Sequence, residues 1–158
     1  MRRAMSLVAI ALIAVAACGG SDSSITGSNS NLKGALTASI DGTAWSSVAP
    51  GVSYKNNILA IVGIDLGSGT TIEVGSAAVT GAGTYSLGFS NLNAGIGLIS
   101  QTGGKSWSSS VQGGTGSLVV TTLTANHVVA TFSFDAPAQS GGATGTKHVT
   151  GGKIDATF

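Results

Sequence analysis

After residue 18 no stretch of the chain sustains the three-to-four spacing of an amphipathic helix, and glycine or serine interrupts every window long enough to hold one. Alternation at every second position is the signal instead. Leu36, Ala38 and Ile40 alternate with Thr37 and Ser39, which predicts a strand with one face on a core. Asp41-Gly42 follows, a dipeptide that tolerates positive φ at both centres of a tight hairpin turn, and residues 43–46 begin the return strand. Residues 58–66 are almost continuously apolar, which predicts a strand buried on both faces. Residues 67–69, Gly-Ser-Gly, turn the chain into a partner strand at 70–74. Tyr85, Leu87 and Phe89 fall on one face of residues 84–89. Residues 96–100 read as a short strand, and residues 105–110, which include Trp107, fit no element clearly. Residues 117–124 and 127–135 predict the longest hairpin, with Ala125-Asn126 near its tip and Val128, Ala130, Phe132 and Phe134 on a common face. Residues 137–146 read as a loop of Pro, Gly, Ser and Thr. Residues 147–150 and 153–158 close the chain, with Ile154, Ala156 and Phe158 alternating. Eight to ten short strands at a spacing of about ten residues predict an all-β domain, an antiparallel β-sandwich or a small closed β-barrel. No internal repeat is present, which argues against a propeller or solenoid. A membrane-spanning barrel is excluded by too few aromatic residues for two girdles and by strands shorter than the 9–11 residues a crossing needs.

The amino terminus obeys a different rule. Arg2 and Arg3 precede an uncharged, largely apolar run of 14 residues from position 4 to position 17. That is short of the roughly 20 residues of a permanent membrane helix. The run ends in Val15-Ala16-Ala17, and Cys18, the only cysteine, comes next. This arrangement resembles the lipobox of bacterial lipoproteins, in which the cysteine thiol receives a diacylglyceryl group and cleavage before it follows. The resemblance implies a signal peptide at 1–17, lipidation of Cys18, and commonly a further acyl chain, such as palmitate, on the new amino terminus. Two or more chains anchor a protein stably where one does not. Ala14-Val15-Ala16 would also serve an ordinary signal peptidase, but that route leaves a solitary cysteine at this offset without an account. Residues 19–33, rich in Gly, Ser and Asn, have too little apolar surface to fold and read as a tether. Fully extended, they reach about 50 Å. Gly19 rather than Asp after the cysteine favours the outer membrane. The expected organisation is therefore signal peptide 1–17, lipidated Cys18 and tether 18–33, and a single all-β domain 34–158.

Charge narrows the partners. Loss of Arg2 and Arg3 leaves five lysines against five aspartates and one glutamate. Such near-neutrality gives no electrostatic footprint for nucleic acid or for an anionic membrane surface. The 25 glycines fit many tight turns rather than disorder, because Val, Ile, Leu and Phe recur in ordered patterns. With no second cysteine, a disulfide within the chain is not available.

No constellation of residues predicts catalysis. His127 and His148 are the only histidines; a zinc site needs three or four ligands, and only a fold bringing Asp135 and Asp155 together would supply them. No G-x-S-x-G elbow is present. Gly103-Gly104-Lys105-Ser106 lacks the upstream glycine of a phosphate loop, and Asp41-Gly42 lacks the acidic ladder of a calcium loop. No metal, cofactor or catalytic residue is expected. Trp45, Trp107, Tyr54 and Tyr85 remain as binding candidates, since aromatic faces stack on sugars and anchor protein partners. Trp45 and Tyr85 sit inside alternating strands and read as core. Trp107, beside Gly103-Gly104 and a serine run, predicts an exposed ring, and Trp107 with Tyr54 predicts a ligand-binding face for a glycan or an envelope protein.

Several segments together resemble a family of uncharacterised bacterial lipoprotein domains. They are residues 36–45 (LTASIDGTAW), 83–88 (GTYSLG), 116–123 (GSLVVTTL) and 129–134 (VATFSF). Members open with an A-x-(I/V)-D/N-G-x-x-W hairpin and carry a G-T-Y-x-L-G strand. The resemblance covers roughly residues 35–158 and implies a β-rich periplasmic or surface domain with no catalytic residues to carry over. Two functional readings follow: a lipid-anchored binding or structural domain, and, as the alternative, an enzyme or enzyme accessory acting on envelope or extracellular polysaccharide.

Overall fold

The computed structural model describes residues 33–47, 50–89 and 95–158. The expected signal peptide, Cys18 and the expected tether up to residue 32 lie outside the described residues. The domain is all-β, as the alternation predicts, and its antiparallel sheet curls into a half-barrel. Eleven strands are described: β1 (Lys33–Ile40), β2 (Thr43–Ser47), β3 (Gly51–Lys55), β4 (Ile58–Asp65), β5 (Thr70–Ser76), β6 (Gly83–Gly88), β7 (Ile96–Gln101), β8 (Ser106–Ser108), β9 (Thr115–Leu123), β10 (His127–Ser140) and β11 (Thr146–Thr157). Their order across the sheet is β2-β1-β11-β10-β8-β7-β5-β4-β3, with β9 and then β6 branching from β10.

Local chemistry explains the turns. Asp41 and Gly42 have φ of 51° and 83°, the left-handed pair that joins β1 to β2 in register Ile40↔Thr43. Asn56 and Asn57 do the same between β3 and β4, at φ 53° and 62°; asparagine tolerates this region better than most residues. The short β3, which the sequence did not announce, is the return strand of that hairpin, paired Lys55↔Ile58 to Gly51↔Val62.

β10 is the spine. Its first part pairs with β9 as far as Asp135↔Thr115, and its last part pairs with β8 from Ala138↔Trp107. Pro137, which argued for a loop, falls between those two neighbours. It has no N–H to give on that side, and none is needed where one partner has ended and the next has not begun. The strand therefore continues to Ser140. The two closing segments are likewise one strand, β11, with a register shift opposite Phe132 and Phe134.

The curl brings the inner face round on itself. Leu36, Ile61, Ile72, Val74, Ile99, Leu118, Val128, Ala130 and Ile154 are all sealed from solvent, and Phe132 and Phe134 stack with centroids 6.3 Å apart. Phe134 lies across β7 at Gly97, where a Cβ would stand 2.5 Å from the ring. Glycine there is a requirement of close approach between the walls. At one seam β6 meets the start of β7, with Gly88 N–H on the Gly95 carbonyl at 3.0 Å and Gly95 N–H on that of Ser86 at 2.8 Å. At the other, the Ile64 N–H of β4 donates to Ser47 Oγ of β2 at 3.1 Å.

Two expectations are corrected. β4 is buried on one face only: Leu59 and Ile61 are fully enclosed, while Ile58, Val62 and Ile64 are exposed. Among the described residues no second layer covers the outside of this part of the sheet. Phe89 does not join Tyr85 and Leu87 on their face; Gly88, at φ 137°, breaks the alternation, and Phe89 is exposed.

Candidate functional site

All the tryptophans and tyrosines of the chain are used as clamps. Trp45 is buried and its Nε1–H donates to the Thr70 carbonyl at 3.2 Å, tying β2 to the start of β5. Tyr54 and Tyr85 together hold the crossover between β5 and β6. The Tyr54 hydroxyl donates to the Val79 carbonyl at 2.8 Å, and that of Tyr85 donates to the Gly81 carbonyl at 2.8 Å and accepts from Thr80 N–H at 3.2 Å. Val79, fully buried, is the plug that this crossover pushes into the core.

The exposure predicted for Trp107 is corrected by its position. Only 4% of it meets solvent. The chain between β10 and β11 folds over the ring, accepts its Nε1–H at the Thr144 carbonyl at 3.0 Å, and brings Lys147 Nζ to 5.5 Å from the ring centroid. Nor do Trp107 and Tyr54 share a binding face. β7, β5 and β4 separate β8 from β3, a width of about 19 Å at the usual strand spacing, and both rings turn toward the core side. The glycan-stacking platform read from these two residues is not assembled.

The histidines are placed on the outer face of β10 and β11, apart from one another. His127 Nε2 is hydrogen-bonded to Asp155 Oδ1 at 2.8 Å, and His148 Nδ1 to Asp135 Oδ1 at 2.7 Å. Asp155 lies opposite Val129, whereas Asp135 lies opposite His148. Six residue steps along β10 therefore separate Asp155 from Asp135, about 20 Å along a strand. The convergence of Asp135 and Asp155 that a metal site would need does not occur, and no group of three or more His, Cys, Asp or Glu that could hold a metal ion is formed among the described residues.

Asp41 closes the upper end of that surface. Its Oδ2 accepts from Lys147 Nζ at 2.6 Å and its Oδ1 from the His148 N–H at 2.9 Å, while its own N–H donates to the His148 carbonyl at 2.9 Å. The Lys147 hydrogen bond, then the one from the His148 backbone, hold the Asp41 carboxyl below the ordinary carboxylate value. The turn dipeptide read from sequence thus also locks the β1–β2 hairpin onto β11.

What sequence reasoning missed is an aliphatic row on the outside of β4. Ile58, Val62 and Ile64 point away from the core, and Leu66, in the turn after the strand, is 74% exposed. A signal was present in the partner strand: in β5 the outward Thr71 and Glu73 face Ile64 and Val62, so only one face of β4 had an apolar partner. Cys18 lies outside the described residues.

No known protein family, curated protein or solved structure matches this chain.

Proposed function

We propose that this protein is a lipid-anchored component of a bacterial cell envelope, held at the outer membrane through Cys18, and that its β domain makes non-catalytic contacts. The observation that carries the reading is the solitary Cys18 directly behind Val15-Ala16-Ala17, an uncharged run and two arginines. Such a run is too short to remain as a spanning helix and suits export followed by acylation. The tether then spaces the domain from the bilayer. The chemistry of the domain supports a contact role over an enzymatic one. Its two His–Asp pairs stand on an outer sheet face well apart, and its aromatic N–H and O–H groups hold loops in place. An active site needs titratable groups gathered in a concave pocket with perturbed acidity, and these are dispersed instead. Expression of the full chain beside Cys18→Ser in a Gram-negative host tests this reading. The wild type partitions with the outer-membrane fraction, and the variant is released to the soluble periplasm. Equal partitioning of the two would overturn the anchor.

A further inference from the structure

Among the described residues, four of the five large apolar side chains that remain exposed belong to one row: Ile58, Val62, Ile64 and Leu66. Their neighbours on the inner face of the same strand build the core; this row takes no part in the core of the described residues. We propose that the upper end of the row, Ile64 and Leu66, seats on the lipid bilayer to which Cys18 attaches the protein. The inference rests on the anchor reading above.

Three observations favour a bilayer over a second copy of the chain. The first is size. A stable dimer needs about 800 Å² from each partner. Even a large aromatic side chain buries only about 150–250 Å², so four smaller ones, 38–74% exposed, fall well short. A lipid surface asks less, because the acyl chains supply most of the attachment and a few aliphatic side chains add to it. The second is reach. β1 and β4 meet where Leu36 lies against Gly63; a Cβ there would stand 2.5 Å from Leu36 Cδ2. Lys33 is three residues from that crossing and Leu66 is three residues from it on the other strand, so the tip lies within about 30 Å of the start of β1. A tether of residues 19–33 extends about 50 Å, enough for the tip to touch the membrane that holds Cys18. The third is the distribution of charge. Val62 faces Glu73 across the ladder, whereas Ile64 faces the uncharged Thr71. Asp65 turns its carboxylate into the turn, accepting from the Gly67 N–H at 2.9 Å and the Ser68 hydroxyl at 2.6 Å. Leu66 is thus held outward on a turn that keeps its one charge engaged, and Glu73 limits contact to the tip.

The test uses the full chain, processed by a bacterial host and reconstituted into phosphatidylethanolamine–phosphatidylglycerol vesicles that carry a quencher on the acyl chains. Leu66→Cys and, as control, Thr43→Cys at the exposed start of β2 are each labelled with an environment-sensitive fluorophore; an acylated Cys18 does not react. The proposal expects strong lipid quenching at 66 and little at 43. It also expects Ile64→Ser, added to Leu66→Cys, to lower the inserted fraction by about tenfold, the scale of losing one buried aliphatic side chain. Acylated chain with equal quenching at both positions overturns the proposal and leaves the anchor standing. Chain that fails to float with the vesicles because Cys18 carries no acyl group overturns both. A shift in emission at 66 without lipid quenching, together with cross-linking between labelled chains, overturns the bilayer and gives the row to a second copy.

Discussion

The outer face of β10 and β11 and the outer face of β4 belong to one curled sheet, and their inner faces are equally apolar, yet outside they differ in kind. On β10 and β11 the outward residues include His127, Asp135, His148 and Asp155, joined in pairs by hydrogen bonds of 2.7–2.8 Å. On β4 they are Ile58, Val62 and Ile64. The first surface satisfies its polar groups within the chain and suits water. The second leaves aliphatic side chains about half in water, where burying the remainder would stabilise each by about 1 kcal/mol. Folding alone accounts for the first surface. Nothing among the described residues accounts for the second.

Substitutions along β4 and across to β11 sharpen that contrast. The largest effect is expected inside. Ile61→Ala, in the sealed core, should cost about 2–5 kcal/mol of unfolding free energy, read from denaturant titration. At the next level, Trp107→Phe keeps most of the buried ring but removes the donation to the Thr144 carbonyl; a loss of about 1 kcal/mol is expected, with faster proteolysis between β10 and β11. If cleavage there is unchanged, Trp107 is not the clamp of that segment.

Asp41→Asn should cost up to about 1 kcal/mol at neutral pH, since the Lys147 pair is partly exposed and screened. Asparagine accepts the same left-handed backbone and keeps one oxygen for the His148 N–H, so the change removes the charge together with the acceptor that Lys147 uses. Because folding lowers the pKa of Asp41, its contribution is present above the unfolded carboxylate value near pH 4 and fades as pH falls through the lower folded value. Wild type and variant should therefore converge in stability under strongly acidic conditions; a constant gap across pH would refute the charge effect. The smallest change is expected outside on β4. Ile64→Ser should shift stability by no more than about 0.5 kcal/mol. A loss comparable with that of Ile61→Ala would mean the outer row belongs to the fold, and the comparison between the two surfaces would fail.

The same contrast marks where the sequence was readable. Turn dipeptides and strict alternation are local signals, so the β1–β2 hairpin and the shared face of Val128, Ala130, Phe132 and Phe134 were legible. Properties that depend on a distant neighbour were not. Trp107 sits in a glycine- and serine-rich stretch, and its burial comes from residues 140–147 folding across it. Pro137 argues against a strand unless its partner changes at that position, as it does. The apolar run of β4 suited a strand covered on both sides; its one-sided cover follows from the polar outward residues of β5, which a reading of β4 alone does not weigh. β3 gave little local signal beyond Asn56-Asn57. Of the candidate sites, Tyr54 and Trp107 were legible as important aromatics, but their partners, loop carbonyls far along the chain, were not.

The proposed acylation of Cys18 is what would bring this domain to a membrane. The intact mass of the chain extracted from envelopes, followed by fragmentation of its first residues, tests it most directly. The predicted result is a chain that begins at Cys18 and carries a thioether-linked diacylglyceryl group. A first residue at another position, or Cys18 with a free thiol, would contradict it.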